Sequence, residues 1–168
     1  MNKLVDLSLI VMFAIVLGAC SPTPQLTAKL ITPGDKIGNF LITTDNNADV
    51  IYQWKMSCVK QSAEKESCTS TVGARVNVSF GIYDDTYSGK LDSLWAAHTY
   101  AMVIEGRPVN LQSFGSIDVT HPLVGKMRHW NVVVVTDKPG EITIQHSGQV
   151  GGNPFDPPLT YTLTFSAP

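Results

Sequence analysis

Three side chains that bind soft metal ions lie close together in the second half of the chain. His121, Met127 and His129 combine two imidazoles with a thioether, and Met102 would share a strand face with His98. Cu(I) prefers thioether and imidazole ligands, so a copper carrier is one candidate. No HxH or HExxH motif is present, and histidines and methionines scattered singly through a β domain are the simpler interpretation. We therefore predict no metal site.

A second candidate is a calcium loop. The run from Asp45 to Asp49 has the D-x-N-x-D spacing that opens such a loop. Val50 stands where the loop needs glycine, and Met56 where it needs glutamate. Because Asn and Asp also favour turns, we predict a polar turn between two strands.

The sequence gives little support for catalysis. No serine lies in a G-x-S-x-G motif. The carboxylates of Asp84, Asp85 and Asp92 lie in a turn-rich segment, whereas a glycosidase needs two carboxylates facing across a cleft. We predict that the protein is not an enzyme and uses no cofactor.

Aromatic side chains are the candidates for a binding site. If residues 94–104 form one extended strand, alternation turns Trp95 away from the larger apolar side chains and places it beside small residues. This arrangement would form a flat shelf suited to a sugar ring or a peptide, and Tyr83 and Tyr87 lie just upstream. We predict that these three residues bind a ligand. The simpler alternative is a central strand in which Trp95 is ordinary core.

The N-terminus has the three-part layout of a signal peptide. A short cationic start is followed by a continuous apolar run over residues 9–17, which is too short to span a bilayer comfortably. The run Leu17-Gly18-Ala19-Cys20 resembles the lipobox of bacterial lipoproteins. The resemblance implies cleavage before Cys20, diacylation of its thiol (palmitate-type chains), and a location outside the cytoplasm, at the outer membrane or cell surface. Two acyl chains suffice for stable anchoring.

These features divide the chain into three parts. Residues 1–19 are predicted to be the signal peptide, and residues 20–33, rich in proline and small polar residues, a tether. Residues 34–168 form one domain of ordinary size. The formal net charge is -2 and no basic patch is present, which argues against a nucleic-acid partner.

The two remaining cysteines predict a disulfide. Cys58 and Cys68 flank a polar stretch, residues 59–67, that we expect to be a loop. Two thiols in an oxidising compartment usually pair. A metal-binding pair is the alternative, but the spacing does not match a CxxC ligand pair.

A period of two dominates the domain and predicts β-strands. Apolar residues alternate with polar ones over 75–82, 141–145 and 159–165, and further strands are expected at 40–42, 50–56, 100–104, 109–111 and 130–135. Residues 91–97 fit one or two helical turns. Glu105-Gly106 predicts a hairpin, and Lys138-Pro139-Gly140 predicts a turn that makes strands 130–135 and 141–145 antiparallel neighbours. The stretch 151–158 is expected to be a long break before the last strand.

The predicted fold is all-β, an antiparallel β-sandwich of seven to nine strands. The Trp130 strand, the Pro139-Gly140 turn and the Ile142/Ile144 strand resemble small secreted immunoglobulin-like modules. That resemblance implies architecture and not activity.

The expected function is a non-catalytic binding or interaction module of the cell envelope. Its partners would be the membrane, through the N-terminal lipid, and a protein or glycan ligand. The alternatives are an extracytoplasmic carrier of a metal or sugar and, third, a small secreted enzyme. The chain lacks the loop signatures expected of chagasin-like protease inhibitors.

Overall fold

The computed structural model describes residues 29–83, 90–150 and 153–168, with the backbone alone for residues 150 and 153–157. The predicted signal peptide (1–19), the lipidation site Cys20 and the candidate binding residue Tyr87 lie outside these residues, as do Asp84 and Asp85. The expectations for them stay predictions. Within the described residues, no helix is both long enough and apolar enough to cross a membrane.

Short β-strands dominate the described residues. The strands are β1 (Lys36–Ile37), β2 (Phe40–Thr43), β3 (Ile51–Tyr52), β4 (Ser57–Lys60), β5 (Lys65–Thr71), β6 (Val76–Asn77), β7 (Gly81–Tyr83), β8 (Thr99–Ile104), β9 (Arg107–Pro108), β10 (Ser116–His121), β11 (Gly125–Trp130), β12 (Val133–Thr136), β13 (Gly140–Val150) and β14 (Asn153–Ser166). Two short helices are α1 (Leu91–Ala97) and α2 (Leu111–Phe114), and a 3-10 helix covers Gln53–Lys55. A mostly β chain is therefore confirmed, but the strands are more numerous than predicted. The strand expected over 75–82 is divided into β6 and β7, whereas β13 and β14 are longer than expected.

The strands form three sheets. Their strand orders are β1-β2-β12-β6-β3, β4-β5-β14-β13-β8-β9 and β10-β11-β7. Most neighbours are antiparallel, but β14 runs parallel to β5, and β3 runs parallel to β6. The prediction of a purely antiparallel arrangement is wrong at these two pairs. The β5 sequence is polar, with Cys68 as its one buried residue, so it gave no apolar alternation to recognise.

One hydrophobic core joins the two larger sheets. Ile42 and Val134 of the five-stranded sheet and Leu163 of the six-stranded sheet are completely buried. The rings of Phe40 and Phe165 meet between these sheets, with their centroids 5.8 Å apart. Fully burying a side chain of this size stabilises the fold by about 1.5–3 kcal/mol. This shared core fixes the segments that pack beside the smaller, three-stranded sheet. The candidate site lies where these segments meet that sheet.

The two predicted turns have different outcomes. The hairpin at Glu105-Gly106 is confirmed: β8 pairs with β9, and both turn residues have positive φ, 47° and 72°, as a type I′ turn requires. Its second strand is Arg107–Pro108, and the strand predicted over 109–111 is wrong, because Leu111 begins α2. The turn before Gly140 links two different sheets instead, because β12 pairs with β2 and β6 while β13 pairs with β14 and β8. The prediction that the strands flanking this turn are neighbours is therefore wrong.

The last strand begins earlier than predicted. Strand β14 starts at Asn153 and pairs with β13 on both sides of a register shift between His146 and Gly148. The break expected over 151–158 is thus wrong from residue 153 onward. At the shift, Gly148 has φ +95°, and an added Cβ would lie 1.6 Å from the Thr99 carbonyl oxygen. Only glycine fits this close approach of two strands.

The segment predicted as a strand over 50–56 changes direction after two residues. Strand β3 ends at Tyr52, and a 3-10 helix follows. The tighter backbone brings the rings of Tyr52 and Trp54 into a stack with centroids 4.7 Å apart and an 11° angle between planes. This local turn places Trp54 over the three-stranded sheet. The single-strand prediction for this segment is therefore wrong.

The predicted disulfide is confirmed, but the predicted loop is not. Cys58 and Cys68 are bonded and lie directly opposite each other on β4 and β5. The residues between them form an antiparallel hairpin, since Val59 pairs with Ser67 and Lys60 pairs with Glu66. The bridge therefore fixes an edge strand whose side chains are exposed.

We expect removal of the bridge to destabilise the domain. The double variant Cys58→Ala/Cys68→Ala should lower the free energy of unfolding by roughly 2–3 kcal/mol, because the bridge restricts the unfolded chain. Urea denaturation of the oxidised parent and the variant measures this difference. Reduction of the parent should produce a similar loss. Equal midpoints for parent and variant would contradict the expectation.

Candidate functional site

The three-stranded sheet presents two faces with different chemistry. In the register of β11 with β7, Met127 lies opposite Tyr83 and His129 lies opposite Gly81. Alternate residues of a strand share a face, so these side chains lie on one face, which we call the cavity face. Arg128 lies between them in sequence and belongs to the other face, which we call the helix face because α1 covers it.

Aromatic rings cover the cavity face. The Trp54 ring lies 5.4 Å from the His129 ring and 4.9 Å from the His121 ring, centroid to centroid. Tyr52, stacked on Trp54, lies 5.0 Å from the His129 ring. The site is therefore a layer of indole, phenol and imidazole rings above a β-sheet.

A cavity of about 440 Å³ opens beside these rings. Its walls include Trp54, Phe80, Tyr83, His121, Met127 and His129. The cavity is mostly apolar, and Tyr83, 45 % exposed, lies at its rim. Concave, largely apolar spaces with a few polar groups are the usual form of small-ligand sites.

His129 is the polar group at the base of this cavity. Its Nδ1–H donates to the carbonyl oxygen of Ser79 at 3.1 Å, whereas Nε2 is buried and has no hydrogen-bond partner among the described residues. The pKa of His129 is lowered to about 4, mainly by burial; the hydrogen bond to the Ser79 carbonyl opposes this with a smaller rise, and the nearby His121 contributes a still smaller lowering. The imidazole is therefore neutral at pH 7, with an unused lone pair on Nε2.

Gly81 makes room for this imidazole. A Cβ added at Gly81 would stand 2.3 Å from Nε2 of His129 and 2.7 Å from the terminal methyl of Met127. The two side chains therefore converge on the space above this glycine. The sequence could not show this, because the pairing of β7 with β11 joins segments more than 40 residues apart.

His121 lies at the same cavity but has a different hydrogen-bond pattern. Its Nδ1 accepts from the backbone N–H groups of Leu123 at 3.1 Å and Val124 at 3.3 Å. The proton of the neutral ring is therefore on Nε2, which makes that atom a donor. His121 closes the aromatic layer, while His129 offers the free acceptor.

The helix face holds an ion-pair network. Arg128 donates to Asp118 at 2.5 and 2.9 Å and to Asp92 at 2.7 Å, and its guanidinium lies 5.8 Å from the centre of the Trp95 ring. Hydrogen bonding from Arg128 holds the pKa of Asp118 below its usual value. These contacts fasten α1 to the sheet and place Trp95 on that face.

The structure corrects the geometry predicted for Trp95. The prediction of an extended strand over 94–104 is wrong at its start, since Leu91–Ala97 form helix α1, as the alternative for that segment allowed. Trp95 is half-buried, with its ring 4.4 Å from the His98 ring and 4.9 Å from the Trp130 ring. The alternation that suggested an open shelf does not exist. A binding role for Trp95 stays a prediction without that support.

The two predicted binding residues that the structure describes, Tyr83 and Trp95, are not brought together. Tyr83 lies at the rim of the cavity face and Trp95 lies on the helix face, so the sheet separates them. Tyr87 lies outside the described residues. Trp54 lines the same cavity as Tyr83. Sequence analysis missed Trp54 because it assigned that residue to a regular strand.

A second cavity, of about 560 Å³, lies near Trp130 and His98. The polar groups of His98 are already used there. Its Nδ1–H donates to the Trp95 carbonyl, and its Nε2 accepts from the indole N–H of Trp130 at 3.2 Å. The imidazole of His98 therefore has no unused nitrogen to offer a ligand, unlike that of His129.

The Asp45 turn forms a packed polar corner. One carboxylate oxygen of Asp45 accepts from the Asn47 backbone N–H at 2.9 Å, and the other pairs with Arg75. The turn is also tied to Asn131, whose side chain accepts from the Asp45 N–H and donates to Asn46. Among the described residues, no group of three or more His, Cys, Asp or Glu side chains is arranged to hold a metal ion.

Comparison with known proteins gives no family. No family model matches the chain, and no curated protein matches it. Two solved structures show weak similarity to the chain. The cysteine protease inhibitor EhICP2 from Entamoeba histolytica has 13% identity and a TM-score of 0.35, over 70% of this chain and 94% of that one. PbICP-C, solved in complex with falcipain-2, has 15% identity and a TM-score of 0.30, over 72% of this chain and 100% of that one. Similarity at this level carries no argument about function.

Proposed function

We propose that the protein is a lipid-anchored, non-catalytic binding module of the cell envelope, and that its ligand occupies the cavity between Trp54 and His129. The observation that carries the proposal is the buried Nε2 of His129, an acceptor without a partner among the described residues, at the wall of an aromatic-lined cavity. Leaving such a group unpaired costs about 1–3 kcal/mol. A ligand that satisfies it recovers this energy.

The indole of Trp54 supports the same site. Its Nε1–H is also buried without a partner in the described part of the chain. One unused donor and one unused acceptor therefore lie buried in the mostly apolar wall of this cavity. A few well-placed polar groups are what orient a ligand in such sites. Tyr83, half-exposed at the rim, adds aromatic area that an incoming ligand can contact.

The side chains around the cavity support a non-catalytic role. Ser79 contacts His129 only through its backbone carbonyl oxygen. Its Oγ instead donates to the Asn77 side chain at 2.9 Å and the Trp130 carbonyl at 2.7 Å. A serine nucleophile requires a hydrogen bond from its hydroxyl to the base. The described residues that line the cavity also include no carboxylate, and the sulfur of Cys58, one of these residues, is in a disulfide.

Anchoring rests on the lipobox-like run that ends at Cys20. The described residues begin at Lys29, inside the predicted tether, and Ile31 is already buried in the core. Only about ten residues therefore separate Cys20 from the folded domain, and a diacylated Cys20 would hold the cavity near the membrane surface. A cell-envelope location agrees with the disulfide between Cys58 and Cys68, since disulfides persist in oxidising compartments.

A binding screen with paired variants tests the position of the site. The lipidated protein in detergent is screened against glycan and peptide arrays and a panel of metal ions. We expect Trp54→Ala to weaken binding of any positive probe by more than about 1 kcal/mol, roughly fivefold, because rigid aromatic area dominates such contacts. Trp95→Ala, on the helix face, is the matched control and should bind as the parent does.

The opposite pattern would return the site to the helix face. If Trp95→Ala loses binding and Trp54→Ala keeps it, the proposed cavity is the wrong site. If no probe binds the parent protein, the proposed function fails. Thermal melts of both variants separate loss of binding from loss of the fold.

A further inference from the structure

We infer that the cavity binds a single soft monovalent metal ion, Cu(I), through Nε2 of His129 and the thioether of Met127, with the indole of Trp54 facing the ion. The inference deepens the proposed function and rests on it, since both place the ligand in the same cavity. Sequence alone favoured no metal site. The convergence of these side chains above Gly81 is what changes that interpretation.

The hydrogen bonding of His129 is that of a metal ligand before binding. A metal-bound histidine almost always donates its other ring N–H to a carbonyl or carboxylate, which fixes the tautomer and the ring orientation. The Nδ1–H of His129 donates to the Ser79 carbonyl oxygen at 3.1 Å. Nε2 is thus left deprotonated, and the position of a Gly81 Cβ lies 2.3 Å from it and 2.7 Å from the terminal methyl of Met127, so the two groups are close neighbours.

Met127 supplies the soft ligand. The side chain is 8 % exposed and shares the cavity face with His129, two residues further along β11. Thioethers are flexible and polarizable, so small rotations bring the sulfur toward an ion on Nε2. The pair of one imidazole and one thioether selects Cu(I) over harder ions, which prefer carboxylate oxygen.

The surroundings favour a low-charge ion. The described residues that line the cavity include no carboxylate to neutralise a divalent cation. A monovalent ion in an apolar space needs less opposite charge around it. The Trp54 ring, 5.4 Å from the His129 ring, provides a π face to which a cation is attracted. His121 also packs against the Trp54 ring, but its Nδ1 accepts from two backbone N–H groups, so it is not a ligand.

The experiment is an anaerobic titration of the lipidated protein in detergent with Cu(I), in competition with bicinchoninate. We expect one Cu(I) per chain, quenching of tryptophan fluorescence, and nitrogen and sulfur neighbours in X-ray absorption. Met127→Leu conserves volume and removes only the thioether, and should weaken Cu(I) affinity by roughly tenfold or more. Met102→Leu is the matched control, because Met102 is fully buried in β8 and does not line the cavity. Its affinity should equal that of the parent.

Several results would overturn the inference. These are the absence of saturable Cu(I) binding, the absence of sulfur from the absorption spectrum of the parent, equal losses in the two methionine variants, or a preference for Zn(II). If Cu(I) fails while a glycan or peptide probe still depends on Trp54, the copper assignment is wrong and the proposed function stands. If nothing binds, both fail.

Discussion

Replacement of Cys20 by serine should release the protein from membranes. The serine hydroxyl cannot take the place of the thiol that the lipobox-like run presents for acylation, so the variant should carry no diacyl group. Each buried methylene contributes about 0.8 kcal/mol, and two chains are needed for stable anchoring. We expect the parent in the membrane fraction with the added lipid mass and the variant in the soluble fraction without it.

The remaining cysteines provide the control for this experiment. The double variant Cys58→Ala/Cys68→Ala lacks every other thiol of the chain and should keep both the lipid mass and the membrane association. Membrane association and lipid mass that are unchanged in Cys20→Ser would contradict the lipoprotein prediction. The same comparison separates anchoring from any membrane contact made by the β domain.

Acidification should destabilise the domain steeply below pH 6.5. Burial lowers the pKa of His146 to about 3 and that of His129 to about 4, from an ordinary value of 6.5. His146 is completely buried, accepts from the Tyr100 hydroxyl at 2.6 Å and stacks on Tyr161 with ring centroids 5.5 Å apart. Both imidazoles therefore stay neutral in the folded state while the unfolded chain takes up protons.

The sign of this effect follows from proton uptake. Between pH 6.5 and the lowered pKa, the unfolded state binds one more proton per histidine, so stability is complete above pH 6.5 and falls with decreasing pH. The slope is about 1.4 kcal/mol per pH unit for each imidazole. Together the two histidines can remove a large part of a typical domain stability of about 5–15 kcal/mol before pH 4.

Urea denaturation at intervals from pH 7 to pH 5 measures this slope. That window lies above the ordinary pKa of carboxyl groups, and Asp118, whose pKa is lowered by Arg128, titrates still further below it. His146→Gln keeps an acceptor for Tyr100 and should remove about half of the slope. A parent stability that is flat over this range, or a slope that His146→Gln leaves unchanged, would show that the imidazoles are not held neutral.

The elements that sequence predicted well are those with a strong local pattern. The alternation at 159–165 correctly predicted that Tyr161, Leu163 and Phe165 are buried in β14. Glu105-Gly106 correctly predicted a hairpin, because the two strands that the turn joins are adjacent to it in sequence. The elements that failed depend on distant partners. Strand β5 is polar and is defined by its parallel pairing with β14, nearly 100 residues away. No local pattern in β5 reports that pairing.

The candidate site shows the same division. The proximity of Met127 and His129 was visible as an i, i+2 pair in the sequence, and the structure places both on one face of β11. Three other facts came only from the fold: the 3-10 turn that places Trp54, the space left by Gly81, and the hydrogen bond that leaves Nε2 of His129 unpaired. Trp95 failed as a shelf because a helix replaced the assumed strand.

The central claim is that the ligand enters the cavity at His129, and the methyl group of Met127 reports on it directly. In protein labelled with 13C at the methionine methyl groups, NMR titration with each probe of the screen compares Met127 with Met102. Met127 lines the cavity, whereas Met102 is buried in the core between the larger sheets. We expect a binding probe to shift the Met127 methyl resonance in a saturable way and to leave the Met102 resonance unmoved. Binding that leaves the Met127 resonance unmoved, or shifts both methyl groups equally, would contradict it.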